Sequence, residues 1–453
     1  MKQAVLLIHG IGEQKPMDSL RGFVRSVWTN ATGLHGRYAG ADAVWSKPYN
    51  LSATFELRRL TTPQNSAGIR TDFFELYWAH QIHGTMLTHV FAWARSLLLR
   101  SPSTVPRQLR LAYGLILILL VIGAGLGLYA VMAKGPILSH WMAMGAGAAI
   151  LPAVTAILVN IVGDAARYLH PAPTNVQRRN EIRKAGVEVL KSLHEPAREY
   201  DRIIVVGHSL GSVIGFDIIN HTWLQFNEDT RGRENTANER LQRLEAIARD
   251  LADGRSGHAI ADIQAAQRAY LAELRSNGSR WRVTDFVTMG CPLAHADVLL
   301  ARDRDDFNDK VAQRELAQCL PTLEISGHKP PKRLFSYPSE RSDRIPHHAA
   351  PFAPTRWTNL YFPSAFIIRG DIVGGPLAPL FGAGVKDVPV KTAQNFGFFS
   401  HTLYWRPGRG DHIAALADAL DLADSRKYSV DAVSEHCGNE GADAPVGSIS
   451  PDN

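Results

Sequence analysis

A serine hydroxyl attacks a carbonyl only when an imidazole takes its proton and a carboxylate holds that imidazole in one tautomer. This chain of 453 residues places a serine in Gly207-His208-Ser209-Leu210-Gly211, with a glycine two positions away on either side. Glycines so spaced let a strand and a helix approach closely around a tight turn, with the hydroxyl projecting from it. Ser209 is therefore the candidate nucleophile. His9-Gly10-Ile11-Gly12 is a second turn whose backbone N–H groups are left without partners. Gly10 or Ile11 would supply one donor to an oxyanion, and the N–H of Leu210 would supply the other.

In nucleophile-elbow enzymes the chain order is Ser, then Asp or Glu, then His, so the remaining members are sought after Met289. Asp371 follows an apolar run and sits in the glycine-flanked turn Arg369-Gly370-Asp371-Ile372-Val373-Gly374-Gly375. It is the candidate acid, and Asp387 is its rival. His401, in Phe398-Phe399-Ser400-His401-Thr402-Leu403-Tyr404-Trp405, is the candidate base. His412 is its rival, although Asp411-His412 also reads as the cap and start of the last helix. Cys291 reads as a packed thiol. His347 and His348 have no acidic or cysteine partners at metal-ligand spacing, and no metal or organic cofactor is called for.

Elements must bring these residues together. Ala4 to Ile8 and Ile203 to Val206 are short apolar runs ending in the two glycine turns, as strands buried on both faces do. Arg282 to Met289 reads as another strand, ending at Gly290-Cys291-Pro292-Leu293. Asn359 to Ile368 holds two apolar runs, and Thr71 to Trp78 alternates like a strand. Helical spacing marks Leu20 to Trp28, Glu181 to Leu193 and roughly Ile413 to Leu422. The Gly-, Ser- and Thr-rich stretch between Trp28 and Thr71 carries no readable period. Residues 228–276 are charged and alanine-rich and read as two solvated helices, either plain surface or a lid.

Two uncharged apolar runs, about 111–133 and 141–163, are each long enough for a bilayer, which takes roughly 20 residues. Gly123 with Gly127, and Gly145 with Ala149, repeat the small-residue spacing that packs helices in lipid. A transmembrane hairpin is the expectation. Arginines crowd both outer flanks and only Lys134 lies in the link, so both arms are expected to face the cytoplasm. Three scattered cysteines fit a reducing compartment, and no signal peptide is evident at the start. The formal charge of +6 lies partly in the hairpin flanks, which argues for membrane topology and against nucleic acid as a partner.

HGIG, GHSLGS, GCPL, GDIVGGPL and SHTLYW, in this order, resemble the α/β-hydrolase superfamily of lipases and esterases, closest to membrane-associated bacterial members. The resemblance implies a mostly parallel sheet with helices on both faces, with Ser209, Asp371 and His401 as nucleophile, acid and base. The expected fold class is thus α/β, an α/β-hydrolase fold interrupted by a two-helix transmembrane hairpin. Residues 1–100 would form its first part, 101–170 the hairpin, 171–424 the remainder, and 425–453 a disordered acidic tail. The expected activity is a membrane-anchored serine hydrolase of carboxylic esters, in the bacterial inner membrane, acting on an ester or lipid-like molecule. A thioesterase, an amidase or a non-catalytic scaffold of the same fold remain alternatives.

Overall fold

The computed structural model describes residues 1–11, 15–37, 39–48, 57–81, 110–132, 168–169, 173–228, 238–255, 257–325, 327, 331–338, 344–364, 369–394 and 397–423. Its centre is an eight-stranded mixed sheet. The strands are β1 (Lys2–Ile8), β2 (Trp45–Pro48), β3 (Arg58–Gln64), β4 (Arg70–Leu76), β5 (Arg202–His208), β6 (Val283–Met289), β7 (Arg356–Tyr361) and β8 (Val385–Pro389). They lie in the order β8-β7-β6-β5-β1-β4-β3-β2. From β4 through β8 every pairing is parallel, whereas β2, β3 and β4 pair antiparallel.

Every residue of β5 and β6 is buried. Because successive side chains point to opposite faces, the sheet is covered on both sides here, which is why Ile203 to Val206 in β5 reads as an unbroken apolar run. The helices are α1 (Asp18–Val24), α2 (Arg110–Met132), α3 (Pro173–Leu193), α4 (Leu210–Asn227), α5 (Glu239–Ala252), α6 (Ile260–Ser276), α7 (Arg304–Ala312) and α8 (His412–Leu420). Helix α4 packs on β1, β5 and β6, and α8 on β6 and β7.

The transmembrane hairpin is corrected. No helix among the described residues is long and apolar enough to cross a membrane. The first expected span coincides with α2, and the second lies outside the described residues. A hairpin needs two such helices in succession, and the described residues supply none. The integral-membrane location and the orientation drawn from the arginine flanks rested on the hairpin and are corrected with it.

Two further readings change. The unplaced stretch before Thr71 contains β2 and β3, whose Arg58 side chain donates to Ser46 at 2.6 Å. The 228–276 segment does form two helices, but each buries one face, with Leu241, Leu244, Ile263 and Leu271 in the core. Glu245 on α5 is buried and accepts from Phe335 N–H at 3.1 Å, Ser336 Oγ at 2.7 Å and Arg344 at 2.6 Å. Gln267 on α6 donates to Phe352 O at 2.7 Å. These buried polar contacts fasten the helices to the chain ahead of β7, as expected of structural packing. The tail from 425 lies outside the described residues.

At the amino ends of the strands, fully buried Arg202 donates to Asp285 at 2.6 Å and to the carbonyls of Leu420 at 3.0 Å and Asp421 at 2.9 Å. Arg356 pairs with the same aspartate. The guanidinium thereby satisfies the open carbonyls at the end of α8 and anchors the helix that follows His401.

Glu75, on β4 opposite Leu7, is buried and accepts the Met17 N–H at 2.7 Å. Burial raises its pKa from an ordinary carboxyl value to about 7, the Met17 contact opposing and Asp18 adding to the shift. A raised pKa means the fold favours the protonated form. Stability from this group is complete below the unfolded-state value, near 4.5, and is lost as pH rises toward 7. Glu75→Gln should match wild type at pH 4.5 and exceed it at pH 8, by an amount on the order of 3 kcal/mol. Denaturant titrations at the two pH values measure it, and an unchanged difference between the proteins would refute it.

Candidate active site

Ser209 is the single residue between β5 and α4. Its φ of 53° and ψ of −129° are strained for a residue with a Cβ, a cost of about 1–3 kcal/mol that the surrounding packing must hold. Two hydrogen bonds keep it there: Ser209 N–H donates to Met289 O and Ser212 N–H to Ser209 O, each at 2.9 Å. The flanking glycines are demanded by close approach. A Cβ on Gly207 would stand 2.5 Å from Ser212 Cα, and one on Gly211 would collide with the carbonyl oxygens of Ile8 and His9. This is the strained strand-to-helix turn that GxSxG spacing describes.

The first turn meets the second. A Cβ on Gly10 would lie 2.9 Å from Ser209 Cβ, so the loop after β1 runs against the elbow. His9 is buried; its Nδ1 is 2.8 Å from Gly10 O, while Trp78 N–H donates to Nε2 at 3.4 Å. These partners assign the proton to Nδ1. Burial lowers the pKa of His9 to about 4, so the ring is neutral at pH 7. In a trans peptide the carbonyl and the next N–H point oppositely. By holding Gly10 O, His9 turns Ile11 N–H the other way, while Leu210 N–H, first in α4, has no intrahelical acceptor.

The candidate base and acid form a pair. His401 Nδ1 lies 2.8 Å from Asp371 Oδ2. The same oxygen accepts from Tyr404 OH at 2.8 Å, and Asp371 Oδ1 accepts from Val373 N–H at 2.9 Å. Burial by itself would raise the pKa of Asp371; the charge and hydrogen bond of His401, with those of Tyr404 and Val373, outweigh it and hold the group at about 2. Asp371 is therefore ionised at every pH at which the protein would work. It fixes the proton of neutral His401 on Nδ1, leaving Nε2 with a lone pair. That Nε2 is buried and has no hydrogen-bond partner among the described residues.

The pair sits beside the elbow. Ser209 bonds to Met289, and a Cβ on the next residue, Gly290, would lie 2.9 Å from His401 Cε1 and 2.8 Å from Asp371 Oδ2. Only a glycine, here with φ of 56°, leaves room for the imidazole at that strand end. No hydrogen bond joins Ser209 to His401 Nε2 among the described residues, and such contacts commonly tighten only when substrate arrives. Ser209, Asp371 and His401 all follow carboxyl ends of parallel strands, the edge where open α/β sheets place their sites.

The rivals are engaged elsewhere. Asp387 accepts from Asn359 at 2.7 Å, Leu377 N–H at 2.9 Å and Ala378 N–H at 2.8 Å. Its donors are those of a structural clamp between β7 and the short helical turn at Ala378–Phe381. His412 is fully buried, with Nε2 2.9 Å from Arg406 O. Asp411 does stand at the cap position of α8, but its side chain accepts the Lys391 N–H at 2.6 Å instead of capping the helix. Cys291 is buried, and burial raises its thiol pKa to about 12, which makes it a poor nucleophile at neutral pH. His347 is held by Thr322 O at 3.0 Å, and no group of side chains suited to a metal occurs among the described residues.

Three residues gain parts that the sequence reading did not assign them: His9, His208 and Tyr404. All lie inside motifs already quoted. Spacing could place them near the site but not say which atoms they hold. Comparison of the chain with family models, curated proteins and solved structures finds no match.

Proposed function

We propose that this protein is a serine hydrolase acting on carboxylic esters through a covalent acyl-enzyme. The observation that carries the reading is the Asp371–His401 pair set beside a strained Ser209, with one ring nitrogen bound to the carboxylate and the other unoccupied. Ser209 Oγ attacks the ester carbonyl carbon while His401 Nε2 takes the hydroxyl proton. The negative charge on the carbonyl oxygen is met by the N–H groups of Leu210 and Ile11. His401 then returns the proton to the departing alcohol, leaving the acyl group on Ser209. In the second half His401 takes a proton from water as the oxygen attacks the acyl carbon, then returns that proton to Ser209 Oγ as the acyl–Oγ bond breaks and the free acid leaves. Asp371 stays ionised throughout and steadies the imidazolium. Likeness of the motifs to the α/β-hydrolase superfamily supports the same assignment, and thioesters are the nearest alternative substrates for the same groups.

The test is covalent labelling. A fluorophosphonate probe should modify the folded protein stoichiometrically, and peptide mapping should place the phosphonyl group on Ser209. Folded protein that does not react, or that reacts equally well as Ser209→Ala, removes the hydrolase reading.

A further inference from the structure

His401 belongs to the 3₁₀ turn Gly397–Thr402, outside the strands and the α-helices, so its backbone is not held by a sheet ladder. Two side chains reach backbone carbonyls in and just after this segment. Ser26, in the turn after α1, donates its hydroxyl to Trp405 O. His208, the residue bonded to Ser209, places Nε2 2.7 Å from the carbonyl oxygen of His401 itself. A carbonyl only accepts, so His208 carries its proton on Nε2. Its ring also backs the His401 imidazole, with centroids 4.9 Å apart, and meets Trp405 edge-on at 4.8 Å.

We propose that His208 is the positioning residue of the base: its Nε2–H tethers the His401 backbone and its ring supports the imidazole, tying the base to the residue beside the nucleophile. This rests on the hydrolase reading above. The logic is one of distance. Ser209 and His401 are far apart in the chain, and proton transfer tolerates little error in their separation, a misplacement of about 1 Å costing on the order of 100-fold. A hydrogen bond from the neighbour of one to the backbone of the other removes most of that freedom. His208 also suits the place electrostatically. Burial lowers its pKa to about 3, the adjacent His401 lowering it further, so it remains neutral and does not oppose the imidazolium that forms during turnover.

The test compares p-nitrophenyl ester turnover by the full chain as wild type, His208→Phe and His208→Gln. Phenylalanine keeps a flat ring and removes the donor; glutamine can return an N–H near the position of Nε2. The expected result is a kcat 10- to 100-fold lower in His208→Phe with KM within about two-fold, and recovery of most of the loss in His208→Gln. A kcat for His208→Phe within two-fold of wild type overturns the proposal, as does an equal loss in both variants. If His208→Phe does not fold, imidazole nitrogen spectra of the wild type decide: an Nε2–H tautomer at His208 is required, and an Nδ1–H tautomer refutes the tether. Wild-type protein that neither turns over esters nor takes the fluorophosphonate overturns the hydrolase reading itself. Active wild type with an indifferent His208→Phe overturns the tether alone.

Discussion

Alanine at Ser209 or at His401 should each lower kcat for p-nitrophenyl esters by about 10⁶, and the double variant should lose no more than either single one. The equality follows from the geometry. Without the base the hydroxyl keeps its proton and is not a nucleophile at pH 7; without the hydroxyl the base has nothing to activate. What survives in all three is whatever the Leu210 and Ile11 N–H groups and substrate binding provide. A chain-length series of esters measures this and also reports the preferred acyl length. Loss in Ser209→Ala with more than a tenth of activity kept by His401→Ala would remove His401 as base and direct attention to His412, despite its engagement with Arg406 O.

Asp371→Asn should fold normally and lose about 10⁴ in kcat with KM little changed. The reason lies in the donors around the carboxylate. Val373 N–H binds Oδ1, so an asparagine in this place would keep its carbonyl oxygen there and turn its NH₂ toward His401 Nδ1. That nitrogen would then have to accept, the ring proton would move to Nε2, and the atom meant to take the serine proton would already carry one. Tyr404 OH, which accepts the Phe362 N–H at 3.2 Å and donates to this oxygen, would lose its acceptor in that orientation, a cost set against the retained Val373 bond. Steady-state kinetics beside a thermal unfolding curve separates this outcome from misfolding. An Asp371→Asn protein with kcat within ten-fold of wild type would show that the carboxylate does not set the tautomer of His401. Because Asp371 is held at about 2, any loss of activity between pH 7 and pH 4 would belong to another group.

Much of this site could be read from the chain because its demands are local. A serine between glycines at the end of a β-branched run describes one turn, and the collisions at Gly207 and Gly211 are the steric reason the pattern needs those residues. The strand expected at Ala4–Ile8 runs Lys2–Ile8, and the last helix, expected near Ile413, starts at His412. Local pattern failed where neighbours decide. Strand β2, at the sheet edge, lacks a clear alternation because edge pairing can be satisfied by backbone alone, with Trp45 and Ser46 exposed. The transmembrane hairpin is corrected because no helix among the described residues is long and apolar enough to cross a membrane.

The sequence by itself determined which residues could do chemistry here, the order in which they occur, and the turns that Ser209 and Gly10 occupy, since these follow from residue type and short-range sterics. Only the tertiary structure decided that His401 and not His412 meets Asp371, that Asp387 is spent on Asn359, Leu377 and Ala378, and that His9, His208 and Tyr404 hold the site from behind. Hydrogen bonds between residues nearly 200 positions apart depend on where the sheet places each strand end, and no local pattern encodes that distance.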